Sequence, residues 1–158
     1  LFENHDTVLL QIQEMLRTER ITKEAAIRHE METYNELVPG PGELSATVFL
    51  EVDAPAERAA FLLAMKGFER HVAVRVGEHR FGARWDDARM HKDQASAVNY
   101  FHFPLSEAGV AGLLSAARGE AGAPAVAVEV DAPAYRAAAT LPRATLVSLA
   151  SDLEESPS

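Results

Sequence analysis

The sequence predicts an α+β fold. An N-terminal helical hairpin leads into a ferredoxin-like (βαβββαβ) antiparallel sheet with crossover helices, followed by a C-terminal helix. Three observations predict it. The apolar period is helical up to Val38 and switches to a period of two after the Pro39-Gly40-Pro41-Gly42 stop. Beyond that stop, strand-like and helix-like segments follow one another in βαβββαβ order. The 158 residues, 47% hydrophobic and 25% charged, suit one domain with one core. The single domain 1–158 divides into a hairpin at 1–38, a sheet with two helices at 43–131, a C-terminal helical segment at 132–153 and a tail at 154–158.

Asn4 or Asp6 can cap a first helix to about Arg20, with Val8, Leu9, Ile12, Met15 and Leu16 as its apolar stripe. Thr22 can cap a second helix to about Leu37, striped by Ile27, Met31, Tyr34 and Val38. The short link between them favours an antiparallel pair. Leu44, Ala46, Val48, Leu50 and Val52 then alternate with Ser45, Thr47, Phe49 and Glu51 as a half-buried strand. Asp53 offers a cap and Pro55 a first turn for a helix to about Lys66, which Gly67 ends. Val72, Val74 and Val76 turn through Gly77-Glu78 into Phe81, Ala83 and Trp85, a β-hairpin. Residues 86–96 read as loop and Val98–Phe103 as a strand stopped by Pro104. Ser106 caps a helix to about Arg118, Ala125–Val130 is a strand, and Leu141–Leu153 is the last helix.

The stretch Glu51-Val52-Asp53-Ala54-Pro55-Ala56-Glu57-Arg58-Ala59-Ala60 recurs at Glu129–Ala138 with Tyr135 in place of Glu57, so nine of ten positions match. The expectation is two strand ends entering helical turns through the same carboxylate, proline and helix formers.

Composition excludes several kinds of chemistry. A net charge of −9 argues against nucleic-acid binding. The absence of cysteine removes disulfides, thiolate metal sites and thiol nucleophiles. No apolar run approaches the ~18 residues that a membrane span needs, and nothing reads as a signal peptide, so the expected location is the cytoplasm. No nucleophile elbow, phosphate loop, dinucleotide fingerprint or metal-binding histidine spacing occurs. The chain opens Leu1-Phe2-Glu3 without a methionine, which leaves a missing natural start open.

Three sets of residues could carry function. Tyr100 and His102 share one face of their strand, opposite Phe101 and Phe103, and could serve as hydrogen-bond donor and acid–base group. The alternative is a half-buried, hydrogen-bonded histidine. Glu14, Arg17 and Thr18 share a face of the first helix, either as a polar wall meeting the sheet or as a solvated ion pair. Together, Glu14, Arg17, Tyr100 and His102 could converge on one catalytic cavity. His71, Arg75, Arg80 and Arg84, followed by Arg89, His91 and Lys92, form a basic ribbon that could bind an anion or RNA, or could pair with acidic groups of the hairpin or of a second copy.

The residues Leu1-Phe2-Glu3-Asn4, Thr7, Gln11, Gln13-Glu14-Met15-Leu16-Arg17, Glu19-Arg20, Glu32, Tyr34-Asn35, Leu37, Pro39, Ala46-Thr47, Lys66-Gly67, Ser96-Ala97-Val98, Leu149-Ala150 and Asp152-Leu153 carry a resemblance that spans the chain. In them the chain resembles the bacterial domain-of-unknown-function family 3501. That resemblance brings no established activity. It implies a basic segment upstream of Leu1, draws attention to Gln11, Glu14, Arg17 and Glu19, and suggests a redox or oxidative-stress setting with a protein partner from a redox system.

The expected function is therefore a small binding or accessory module, because thiol, metal and nucleophile motifs are all missing. The rivals are a small metal-dependent or acid–base enzyme with its site between the first helix and the sheet, and an anion- or RNA-binding module using Arg75, Arg80 and Arg84. A homodimer through the hairpin or an open sheet edge is expected. Cofactor and substrate stay open at this level.

Overall fold

The computed structural model describes residues 1–89 and 93–155. His91 and Lys92 of the basic ribbon, and the last three residues of the expected tail, lie outside the described residues. The chain begins with a two-residue strand β1 (Phe2–Glu3) and the helices α1 (His5–Thr18) and α2 (Glu24–Asn35). Asn4 caps α1 reciprocally: its side chain accepts from the Thr7 N–H, and the Thr7 hydroxyl accepts from the Asn4 N–H. Val8 and Ile12 pack with Leu37, Leu16, Tyr34 and Val38 in a small core of their own. Leu9, assigned to the buried stripe, is exposed, and α2 buries none of its residues. Lys23, rather than Thr22, stands at the N-terminus of α2, without a side-chain cap.

The remaining elements are β2 (Glu43–Phe49), α3 (Pro55–Ala64), β3 (Val72–Val76), β4 (His79–Gly82), β5 (Val98–Pro104), α4 (Glu107–Arg118), β6 (Val126–Ala132), β7 (Tyr135–Thr140) and α5 (Arg143–Glu155). Pro55 opens α3 as expected, but Ala54 rather than Asp53 occupies the cap. Ser106 caps α4 through the Gly109 N–H, and Gly119 ends that helix in the left-handed region. Glycine also lets α4 lie directly on the β3–β4 hairpin. A Cβ at Gly109 would stand 2.4 Å from Phe81 Cζ.

All strand pairings are antiparallel and fall into two sheets, β1-β2-β5 and β4-β3-β6-β7. Among the described residues a single bridge, Arg84 with His102, links them. This confirms the α+β class and differs from the expected ferredoxin-like sheet. Following the bridge, two strands separate β2 from β3, where a split β-α-β unit would place one. The reason lies in partner choice. β5 pairs with β2 over its whole length, which draws β2 away from the strands that follow α3.

The second correction concerns the repeat. Its first copy enters α3 as expected, while its second copy closes a β6–β7 hairpin instead of starting a helix. The core between sheets and helices is built from Leu44, Leu62, Met65, Phe68, Val72, Val74, Val76, Phe101, Phe103, Leu113, Val126, Leu146 and Leu149. Phe68 meets Phe101 edge-on at 5.9 Å between ring centres. No described helix is long and apolar enough to cross a membrane.

Candidate functional site

The alternation of β2 and β5 sorts their side chains into two unlike faces. Leu44, Ala46, Phe101 and Phe103 point into the core. Glu43, Ser45, Thr47, Tyr100 and His102 occupy the other face, as the register pairs Ser45 with His102 and Thr47 with Tyr100. That second face is not open to solvent as simple alternation suggests. Ser45, Thr47 and Glu3 of the neighbouring β1 are buried there. Glu3 satisfies two hydroxyls, accepting from Thr47 at 2.7 Å and from Thr7 of α1.

His102 sits where the two sheets meet. The Arg84 N–H donates to the His102 carbonyl at 2.7 Å, and the His102 N–H donates back to the Arg84 carbonyl at 2.9 Å. Residues paired in this way present their side chains on one face at close range. Glu43, diagonal to His102 on β2, reaches both. Its Oε1 lies 2.8 Å from His102 Nδ1 and also accepts from the Gly40 N–H at 2.9 Å. Its Oε2 accepts from Arg84 Nη2 at 2.9 Å. Burial pushes the Glu43 carboxyl up, but the Gly40 N–H, His102 and Arg84 outweigh it and hold the carboxyl below its ordinary range. Against an ionised carboxylate, Nδ1 must be the protonated, donating nitrogen. Nε2 is then the nitrogen left for other work.

A cavity of about 310 Å3 opens beside this cluster, lined by Glu36, Arg84, Trp85, Asp86, Tyr100 and His102 among others. Its size is at the lower end for small-molecule sites. Trp85 and Tyr100 provide aromatic surface, and the Trp85 indole N–H is turned to Asp87 at 2.6 Å. Among the described residues no group of three or more His, Asp or Glu could hold a metal ion. A second cavity, bordered by Asn4, His5, Asp152 and Glu155, has a more acidic lining. There burial pushes the Asp152 carboxyl up against the pull of the Asn4 amide, with Glu155 and Asp6 adding to the rise.

The structure brings Tyr100 and His102 to one cavity, with Phe101 and Phe103 behind them, as the alternation predicts. It does not bring Glu14 or Arg17 there. Those two pair with each other at 2.5 Å on an exposed face of α1, the solvated alternative. The basic ribbon is divided. Arg75 and Arg80 both bind Glu129 of β6, and Arg84 binds Glu43, so the partners are acidic groups of the same sheets rather than of the hairpin. Sequence reasoning missed Glu36, Glu43, Trp85 and Asp86. For Glu43 no local signal exists, because only the β2–β5 register places it diagonal to His102.

An antiparallel α+β fold with a separate helical hairpin and a carboxylate-held histidine defines the class. The chain belongs to the family described as Protein of unknown function (DUF3501), whose profile matches residues 1–153. It is similar to a novel protein of unknown function from Burkholderia pseudomallei K96243, known from a crystal structure. The two share 32% identity with a TM-score of 0.84, covering 97% of this chain and 78% of that one. A comparison with curated proteins finds no match.

Proposed function

We propose that this chain is a small-molecule binding module whose ligand enters the Trp85–Tyr100 cavity and bonds to His102 Nε2. The observation that carries this reading is the 2.8 Å contact between His102 Nδ1 and a carboxylate kept ionised. Such a contact fixes the ring and its tautomer, so the other ring nitrogen acts as a positioned acceptor. Aromatic walls with a few polar groups, one of them an imidazole acceptor, suit a small planar molecule that carries an N–H or O–H. The redox or oxidative-stress setting, the accessory role and the bacterial cytoplasm rest on the family resemblance and on composition, and they belong to this proposal alone.

Trp85 is the chain's one tryptophan, so its emission reports on this cavity. Titration with benzamide and with phenol should shift that emission saturably in the native protein. His102→Ala should abolish the response while the melting temperature stays within a few degrees. An emission that stays flat with both probes would overturn the reading.

The same histidine also favours a second reading, an acid–base enzyme using His102 with Tyr100. Hydrolysis of p-nitrophenyl acetate above the rate of free imidazole, lost in His102→Ala, would favour it. Binding without such turnover favours the module.

A further inference from the structure

We propose that β7 is a dimerisation edge, on which a second copy of this chain adds its own β7 antiparallel, centred on Ala138. The joined sheets end in β1 and β7, and the two ends are unlike. β1 is two residues long, contains charged Glu3 and is followed at once by α1. β7 has six residues, Tyr-Arg-Ala-Ala-Ala-Thr, and every one of them is exposed. Exposed edges are ordinarily defended by lysine, proline, bulges or brevity. β7 has none of these. Its one charge, Arg136, is folded back on Asp131 of its own hairpin at 3.0 Å.

The backbone sets the register. The Leu141 N–H donates inward to the Val126 carbonyl at 2.8 Å. By alternation, Tyr135, Ala137 and Ala139 also point their backbone groups at β6, while Arg136, Ala138 and Thr140 point theirs outward. A two-fold axis at Ala138 pairs Ala138 with itself and Arg136 with Thr140 twice, so all three outward residues exchange both backbone bonds. A shift by one pairing toward the turn brings Ala134 into the ladder, and a shift the other way brings in Pro142, which has no N–H to donate.

Charge and size select a second copy as the occupant. In this register the two Arg136 side chains face threonines and stand four residues apart along the strand, so like charges never meet. The central contacts are alanine on alanine, which lets two strands of the same sequence approach without steric conflict. An isologous interface needs this self-complementarity.

The chain has no cysteine, so one introduced thiol gives an unambiguous readout. In the native protein, sedimentation should show a dimer. Ala138→Cys should oxidise to a disulfide-linked dimer, because residues opposite each other in this pairing lie within disulfide range. Thr140→Cys should stay unlinked, because its two copies are held far apart. Ala138→Pro removes an outward N–H but no bond of the hairpin, and should give a folded monomer by circular dichroism and sedimentation. If that variant fails to fold, the cysteine pair decides. A monomeric native protein, or a dimer in which Ala138→Cys stays unlinked, would overturn the proposal.

Discussion

Glu43 and Glu129 are matched in depth, with side chains 12% and 14% exposed, and each draws two basic side chains to one sheet face. Glu129 receives Arg75 as a two-pronged pair, at 3.0 and 3.1 Å, and Arg80 Nε at 2.7 Å. Hydrogen bonding from Arg75 is the main reason its carboxyl is held below the usual range, with Arg80 assisting against a burial penalty. Glu43 receives Arg84, His102 and a backbone N–H. The difference lies in what remains afterwards. The Glu129 cluster joins one carboxylate to two guanidinium groups from neighbouring strands, so it clamps β3, β4 and β6. The Glu43 cluster contains an imidazole with one nitrogen in reserve, and it borders the Trp85–Tyr100 cavity. A carboxylate with two basic partners is thus a clamp or a site according to whether one partner keeps a ring nitrogen that the carboxylate does not use.

Substitution of the two glutamates should separate these roles. The largest effect is expected for Glu43→Ala, which leaves a backbone N–H and a half-buried imidazole without their acceptor. The cost should be about 2–3 kcal/mol, or roughly 6–8 °C in melting temperature, together with loss of the Trp85 response to benzamide. A melting temperature within about 1 °C of native would deny Glu43 its holding role. Glu129→Ala should cost less, about 1 kcal/mol, because solvent reaches both freed arginines. It should leave the Trp85 response untouched, and a lost response would show that the two clusters are one unit.

The acid limb of stability sharpens the same contrast. Both carboxyls have lowered pKa values in the folded protein, so their contribution is complete at neutral pH. It fades as pH falls through the ordinary glutamate range and below. Melting curves taken from neutral to acid pH should show a shallower decline in each alanine variant than in the native protein. An equally steep decline would mean that other groups govern the acid limb. The smallest effect is expected for Arg80→Ala, below about 0.5 kcal/mol, because Arg75 keeps its fork on Glu129 and the pair is partly exposed. A large loss of stability there would mean that Arg80, not Arg75, carries the clamp.

Much of the local structure was legible in the sequence because its signals are local. Proline and glycine at 39–42, Pro55, Ser106 with Gly119, and the Gly77-Glu78 turn all act over a few residues. The two copies of the repeat show where local signals stop. With nine of ten residues shared, Glu51–Ala60 enters a helix and Glu129–Ala138 closes a hairpin. After the first copy come Leu62 and Met65, at a spacing that buries one side of α3. After the second, Leu141 returns a backbone bond to Val126, which keeps the chain on β6. The flanks and the available strand partner therefore override the shared propensity. The site was half legible for the same reason. Strand alternation places Tyr100 beside His102, whereas Glu43, Arg84 and Glu36 reach them only through strand register and the path of the chain after α2.

The most direct test of the holding arrangement is the tautomer of His102, read from its ring 15N shifts in long-range 1H–15N spectra at neutral pH. An imidazole protonated on Nδ1, with the signature lost in Glu43→Ala, is the predicted result. A ring protonated on Nε2 alone would place a lone pair against the carboxylate and contradict the account.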